Sequence, residues 1–147
     1  MAFTPLDPWL IEDRTYYVVE IDGVIRASGG WSHRAPMIHV PDMDQEQEPP
    51  EMEGAASIRA MYTDPAFARR GLGQMLLGFC EMSARLSGHH QLQLIATPVG
   101  ERLYERCGYT RVGATKLKVP QGVTILVTRM EKVLTAKPEA IRSKAAC

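Results

Sequence analysis

FARRGLGQ, residues 67–74, lies between a short β-rich run and a long run with helical spacing, and its reading decides the fold. Two arginines and two glycines at such a junction admit three physical explanations. In the first, Arg69 and Arg70 are a solvated helix start, and Gly71 and Gly73 only let the chain turn. In the second, the stretch is a nucleotide loop of Walker or Rossmann type. Both types are excluded: no Gly-Lys-Ser/Thr follows, and the third glycine of Gly-x-Gly-x-x-Gly would fall on Leu76. The third keeps the physics of those loops without their motifs. A helix N-terminus exposes unpaired backbone N–H groups and about half a positive charge, and glycines let a diphosphate approach them closely.

Upstream, SIRAMYT (57–63) reads as a strand ending before Asp64-Pro65, where proline cannot continue a ladder. Downstream, Leu72, Met75, Leu76, Phe79, Cys80 and Leu86, with Ser83, form one stripe of an amphipathic helix stopped by Gly88. QLQLIAT (91–97) alternates as a strand, and PVGERLYERC (98–107) is compatible with a short helix capped by Gly108. Residues 109–113 and 123–133 supply two more β-rich runs on either side of Pro120-Gln121-Gly122. Near the N-terminus, TYYVVEIDGVIRASGGWS (15–32) reads as a hairpin. Asp22-Gly23 suits the positive-φ pair of a type I′ turn, and Gly29-Gly30 marks a bulge or a close backbone approach. From His33 to Gly54, four prolines and the acidic run PDMDQEQEPPEMEG predict a loop. The order β-β-β-α-β-α-β-β predicts a mixed α/β fold, a mostly antiparallel central sheet with flanking helices. A single domain is expected over residues 1–134, with a flexible tail at 135–147.

The 147 residues suit one domain. Seventeen Lys+Arg against 17 Asp+Glu leave no net charge, so a nucleic-acid partner is not expected and a small-molecule partner is favoured. Three cysteines without C-x-x-C spacing and four histidines in no ligand pattern predict a reduced, metal-free, cytoplasmic protein. With no long apolar run, neither export nor a membrane partner is expected.

The segment Pro65-Ala66-Phe67-Ala68-Arg69-Arg70-Gly71-Leu72-Gly73 is followed by a Leu/Met helix and then by Leu103-Tyr104-Glu105-Arg106-Cys107-Gly108-Tyr109. Together these resemble the GCN5-related N-acetyltransferases, the GNAT superfamily, from about Thr15 to Val133. The resemblance implies an N-acetyltransferase that uses acetyl-CoA as co-substrate and no metal, acting on a primary amine of a small molecule or peptide by direct attack in a ternary complex. It places the CoA pyrophosphate on the backbone N–H groups of Arg69, Arg70, Gly71, Leu72, Gly73 and Gln74. The pantetheine arm would pair with the main chain of Met61 and Thr63, where strand 57–63 splays from strand 91–97. The Arg/Gln that opens the family's loop motif is Ala68 here, which implies weaker side-chain help at a main-chain site.

Tyr104 occupies the family's Tyr four residues before a Gly-aromatic pair, beside the cofactor. A phenol with a reference pKa of ~10 is protonated at neutral pH and suits a general acid for the departing thiolate. The competing reading is a ring packed under the sheet. The backbone N–H of Tyr62 is the implied oxyanion donor. Strand 57–63 lacks the carboxylate that related enzymes carry, so Glu51, Glu53, His33 or a water chain remain as bases. The six carboxylates between Asp42 and Glu53 either draw a cationic amine or only solvate the loop. Cys107 reads as a small core residue, and Trp31 as core or as pocket lining.

The family places a strand and two helices before the hairpin, whereas 14 residues precede Thr15 here. An N-terminally shortened fold is expected, and with it a homodimer in which the hairpin or the acidic loop covers the open face. The rival from another class is a non-catalytic acyl-CoA-binding module acting in sensing or assembly.

Overall fold

Asp22 and Gly23, at φ 52° and 79°, reverse the chain between β1 (Tyr16–Ile21) and β2 (Val24–Ser32). Positive φ at both central residues matches the twist of the strands they join. The structure, a computed structural model, describes residues 8–34, 52–118 and 122–134. Glu51 with most of the acidic run, Met1 to Asp7, and the tail from 135 lie outside the described residues. The described ends of the expected loop meet, the Met52 N–H donating to the His33 carbonyl at 2.8 Å.

A short helix, α1 (Pro8–Glu12), precedes the hairpin and buries Leu10. After the loop come β3 (Ala55–Thr63), a 3-10 turn (Pro65–Phe67), α2 (Leu72–Leu86), β4 (Gln91–Ala96), α3 (Glu101–Arg106), β5 (Thr110–Lys118) and β6 (Thr124–Val133). The strands form one sheet in the order β1-β2-β3-β4-β6-β5, antiparallel except between β3 and β4. The expected mixed α/β fold is therefore present. Some boundaries move. β3 starts at Ala55, and β5 passes Gly113 to reach Lys118, because a register shift between Arg111 and Gly113 takes up Val112 as an extra residue while Gly113 pairs with Arg129 and β6 keeps pairing.

Both readings of Gly29-Gly30 hold. The β2–β3 register shifts between Ser28 and Gly30, and a Cβ on Gly29 would collide with the Met61 sulfur, one on Gly30 with the Thr15 carbonyl. The helical stripe needs correction. α2 buries Leu72, Leu76, Leu77, Cys80 and Ala84, whereas Met75, Phe79 and Leu86 stay 54%, 47% and 81% exposed. The cause is placement: α2 lies chiefly over β2 and β3, so the buried arc is centred on Leu77 and Cys80. Met75 and Phe79 overhang β1, where Phe79 meets Tyr17 edge-on at 4.7 Å.

One core joins Leu77, Cys80 and Ala84 to Trp31, Ala56, Ile58, Leu92, Leu94, Ala96 and Met130, and on α3 side to Tyr104 and Cys107. Each fully buried leucine here contributes about 1.5–3 kcal/mol. Trp31 is core, and its indole N–H donates to the Ser83 hydroxyl at 3.0 Å. Among the described helices none is long and apolar enough to cross a membrane.

Candidate active site

The site begins where two strands part. β3 and β4 pair in parallel only from Ala55–Gln91 to Ser57–Gln93. β3 nevertheless continues against β2 as far as Thr63, and β4 against β6 as far as Ala96. Beyond Ser57 the two strands therefore diverge and leave a V-shaped cleft with main-chain groups on both walls. A bulge helps open it: Ala60 is held at φ 57°, uncommon for a residue with a side chain.

At the mouth of the cleft Asp64 ends β3 and accepts the Ala66 N–H at 3.0 Å, starting the 3-10 turn. That backbone bond, with the Arg26 ion pair at 2.8 Å, holds the Asp64 carboxyl below its ordinary pKa. Arg69 (φ 63°) and Gly71 (φ 80°) then turn the chain into α2. Gly71 is the N-cap and provides no side-chain bond. Among the described residues none accepts from the backbone N–H groups of Arg69 to Gln74, and the first amide of the helix to find a partner is Met75, bonded to Gly71. A Cβ on Gly73 would stand 3.2 Å from Leu103 Cδ2 and 3.7 Å from Thr63 Oγ1, so the head of α2, the end of β3 and α3 converge there. Arg69 and Arg70 are exposed, and the Arg70 guanidinium lies 4.6 Å from the centre of the Phe67 ring.

Tyr104 follows Leu103. Its ring is buried, meets Tyr109 edge-on at 6.0 Å, and has Gly100 against its Cε2. Burial, and secondarily the Cys80 thiol nearby, push the phenol pKa up, which keeps the proton in place. Among the described residues none hydrogen-bonds the hydroxyl, and it is not one of the sealed, unsatisfied polar atoms, so the oxygen keeps some accessible surface. A cleft between parted strands, a run of amides at a helix head that no described residue accepts from, and a buried phenol following Leu103 thus lie at one end of the sheet.

Residues 12–111 match the acetyltransferase (GNAT) domain. The chain belongs to the GNAT acetyltransferase family. Solved structures share its fold. The ribosomal-protein-alanine N-acetyltransferase from Brucella melitensis is 18% identical with a TM-score of 0.65, over 86% of this chain and 74% of that one. YncA from Salmonella typhimurium, solved with its cofactor acetyl-CoA, is 19% identical with a TM-score of 0.67, over 92% and 75%. The N-acetyltransferase from Staphylococcus aureus Mu50 is 13% identical with a TM-score of 0.65, over 87% and 73%. No curated protein matches the chain.

Within this GNAT domain Met61, Thr63, Gly73 and the amides from Arg69 to Gln74 gather around the cleft. The Tyr62 amide does not. Tyr62 pairs with Ser28, and the Asp64 N–H bonds the Arg26 carbonyl at 2.7 Å. Antiparallel alternation then turns Tyr62 toward β2 and leaves Met61 and Thr63 facing the cleft. The oxyanion role read onto Tyr62 therefore loses its geometry. His33 also lies elsewhere: it follows Ser32, which pairs with Ser57 at the closed end of the V, and stands 3.4 Å from Asp13. Arg34 bonds Asp13 through two nitrogens, each at 2.7 Å, and so holds that carboxyl below its ordinary pKa. Glu53 sits at the same closed end, two residues before β3. Glu51 lies outside the described residues, and so do Asp42, Asp44, Glu46 and Glu48, the other carboxylates expected to draw in an amine. Cys107 is buried core. Two contributors escaped the sequence pattern: Ala60, because nothing local forces positive φ on alanine, and Phe67, whose ring lies between Arg26 and Arg70 at 4.3 and 4.6 Å.

Proposed function

We propose that the chain transfers the acetyl group of acetyl-CoA to a primary amine of a small molecule or peptide, by direct attack while both are bound. The observation that carries the reading is the run of free amides from Arg69 to Gln74, opening onto the parted strands. These N–H groups, reinforced by the helix dipole, hold the pyrophosphate, and the exposed Arg69 and Arg70 add charge at its rim. The main chain of Met61 and Thr63 holds the pantetheine arm as an added strand would be held. The Met61 N–H, rather than that of Tyr62, faces the thioester oxygen as the amine's nitrogen forms its bond to the acetyl carbon. As the carbon–sulfur bond breaks, Tyr104 gives its proton to the departing thiolate. The amine's proton leaves through water, because Arg59 to Thr63 and Leu94 to Ala96 carry no carboxylate or imidazole.

Mixing the protein with acetyl-CoA and a panel of polyamines, aminoglycosides and lysine peptides, while titrating released CoA thiol, tests this reading. Release that depends on an amine, with intersecting initial-rate lines, is expected. Tight CoA binding with no release for any amine would instead identify an acyl-CoA-binding module.

The reading includes a homodimer. β1 is an edge strand of the sheet, and Val18, Met75 and Phe79 border an exposed groove of about 530 Å³ beside it. A two-fold copy would cover the same patch twice. Light scattering at micromolar concentration is expected to give twice 16.4 kDa, and a mass of 16.4 kDa refutes the dimer.

A further inference from the structure

We propose that Lys132 is a positioning residue for Tyr104, acting with Glu81 and Tyr109; the inference rests on the general-acid reading of Tyr104. α3 has six residues, too few to hold themselves helical, so its orientation is imposed from outside. Its C-terminus is closed by the Tyr109 N–H on the Tyr104 carbonyl at 3.0 Å and the Gly108 N–H on the Glu105 carbonyl at 3.1 Å. Gly108 takes the left-handed conformation, φ 89°, that this pair of bonds requires. Across that glycine reaches Lys132 of β6, its Cε 3.5 Å from where a Cβ on Gly108 would stand.

The Lys132 ammonium donates to the Cys107 carbonyl at 2.8 Å, at the negative end of α3. It also donates to both oxygens of Glu81 on α2, at 3.1 and 3.0 Å. Tyr109 donates its hydroxyl to the same carboxylate at 3.1 Å, and its ring stands edge-on to Tyr104. One cation thus ties the end of α3 to α2 and β6, and through Glu81 to the ring against which Tyr104 packs. The side chains of Lys132 and Glu81 are 21% and 13% exposed, so solvent screens the pair little. What the three hold is the direction of the Tyr104 hydroxyl. A displacement of about 1 Å in a reacting group can cost roughly a hundredfold in rate.

The test uses the full chain labelled with 3-fluorotyrosine, the Tyr104 fluorine resonance being assigned by its loss in Tyr104→Phe. Wild type and Lys132→Arg, which keeps the cation and its donors, are expected to show one narrow line with CoA present. Lys132→Met and Tyr109→Phe are expected to broaden or split it. In turnover of acetyl-CoA, Lys132→Met should lower kcat about ten- to a hundredfold, leave KM for acetyl-CoA within about twofold, and add less than about twofold to Tyr104→Phe. An unchanged Tyr104 line in Lys132→Met overturns the proposal, and so does an equal loss of kcat with and without the Tyr104 hydroxyl. Should Lys132→Met not fold, Tyr109→Phe, which removes one hydroxyl, decides on the same line. Wild-type turnover in Tyr104→Phe would sink the general-acid reading alone, because the line shape still reports whether Lys132 fixes the ring.

Discussion

Tyr104→Phe is expected to lower kcat by about 10² to 10⁴, the usual cost of losing a general acid, with CoA affinity changed by less than about tenfold. The substitution removes one oxygen and leaves the ring in its place against Tyr109 and Gly100. No described residue loses a hydrogen bond, so the melting temperature of the free protein should hardly move. The pH dependence follows from the direction of the shift. Burial raises the phenol pKa, so the active, protonated form persists through the ordinary tyrosine range and is lost only as pH rises above it. Wild-type kcat should therefore show no falling limb from this group below about pH 10. A phenylalanine variant with wild-type kcat would return Tyr104 to the core.

Gly71→Asp and Gly73→Val are each expected to abolish CoA binding. Wild type at about 100 times the dissociation constant of CoA gains about 2.7 kcal/mol, read as a rise in melting temperature, and neither variant should gain it. At Gly71 the change sets a carboxylate where the proposed reading puts the pyrophosphate, and a side chain on a backbone at φ 80°. Gly71→Asn separates these effects, since asparagine tolerates that conformation and carries no charge. At Gly73 the added atoms face Leu103 at 3.2 Å as well as the anion, so the melting temperature without CoA must be measured first. A folded Gly73→Val protein that shifts as far as wild type would move the site elsewhere.

Much of the arrangement was legible because it is local. Asp22-Gly23, Asp64-Pro65 and Gly108 act through the dihedral angles of a few residues, and those preferences are written in residue type. The loop from Arg69 to Gln74 is legible for the same reason: a helix head presents its amides whatever lies around it. The alternating and helical periods likewise announced strands and helices before any partner was known.

Other features depend on what a segment packs against. Which side of α2 is buried was settled by its seat over β2 and β3, so Leu77 and Ala84 went inside while Met75 and Leu86 stayed out. β5 ran past Gly113 because β6 offered it a ladder. The bulge at Ala60 turned the Tyr62 amide to Ser28 and left Met61 to face the cleft, a reversal of one residue that no side-chain pattern encodes. Glu81 and Lys132 stand 51 positions apart and meet only when β6 lies beside β4 beneath α2. Residue type alone determined that the chain has a GNAT-like order of elements, a helix head with open amides and a tyrosine on the helix that follows β4. The directions of the individual amides and of the Tyr104 hydroxyl were decided by strand register and packing, since a main-chain group points wherever the pairing of its neighbours leaves it.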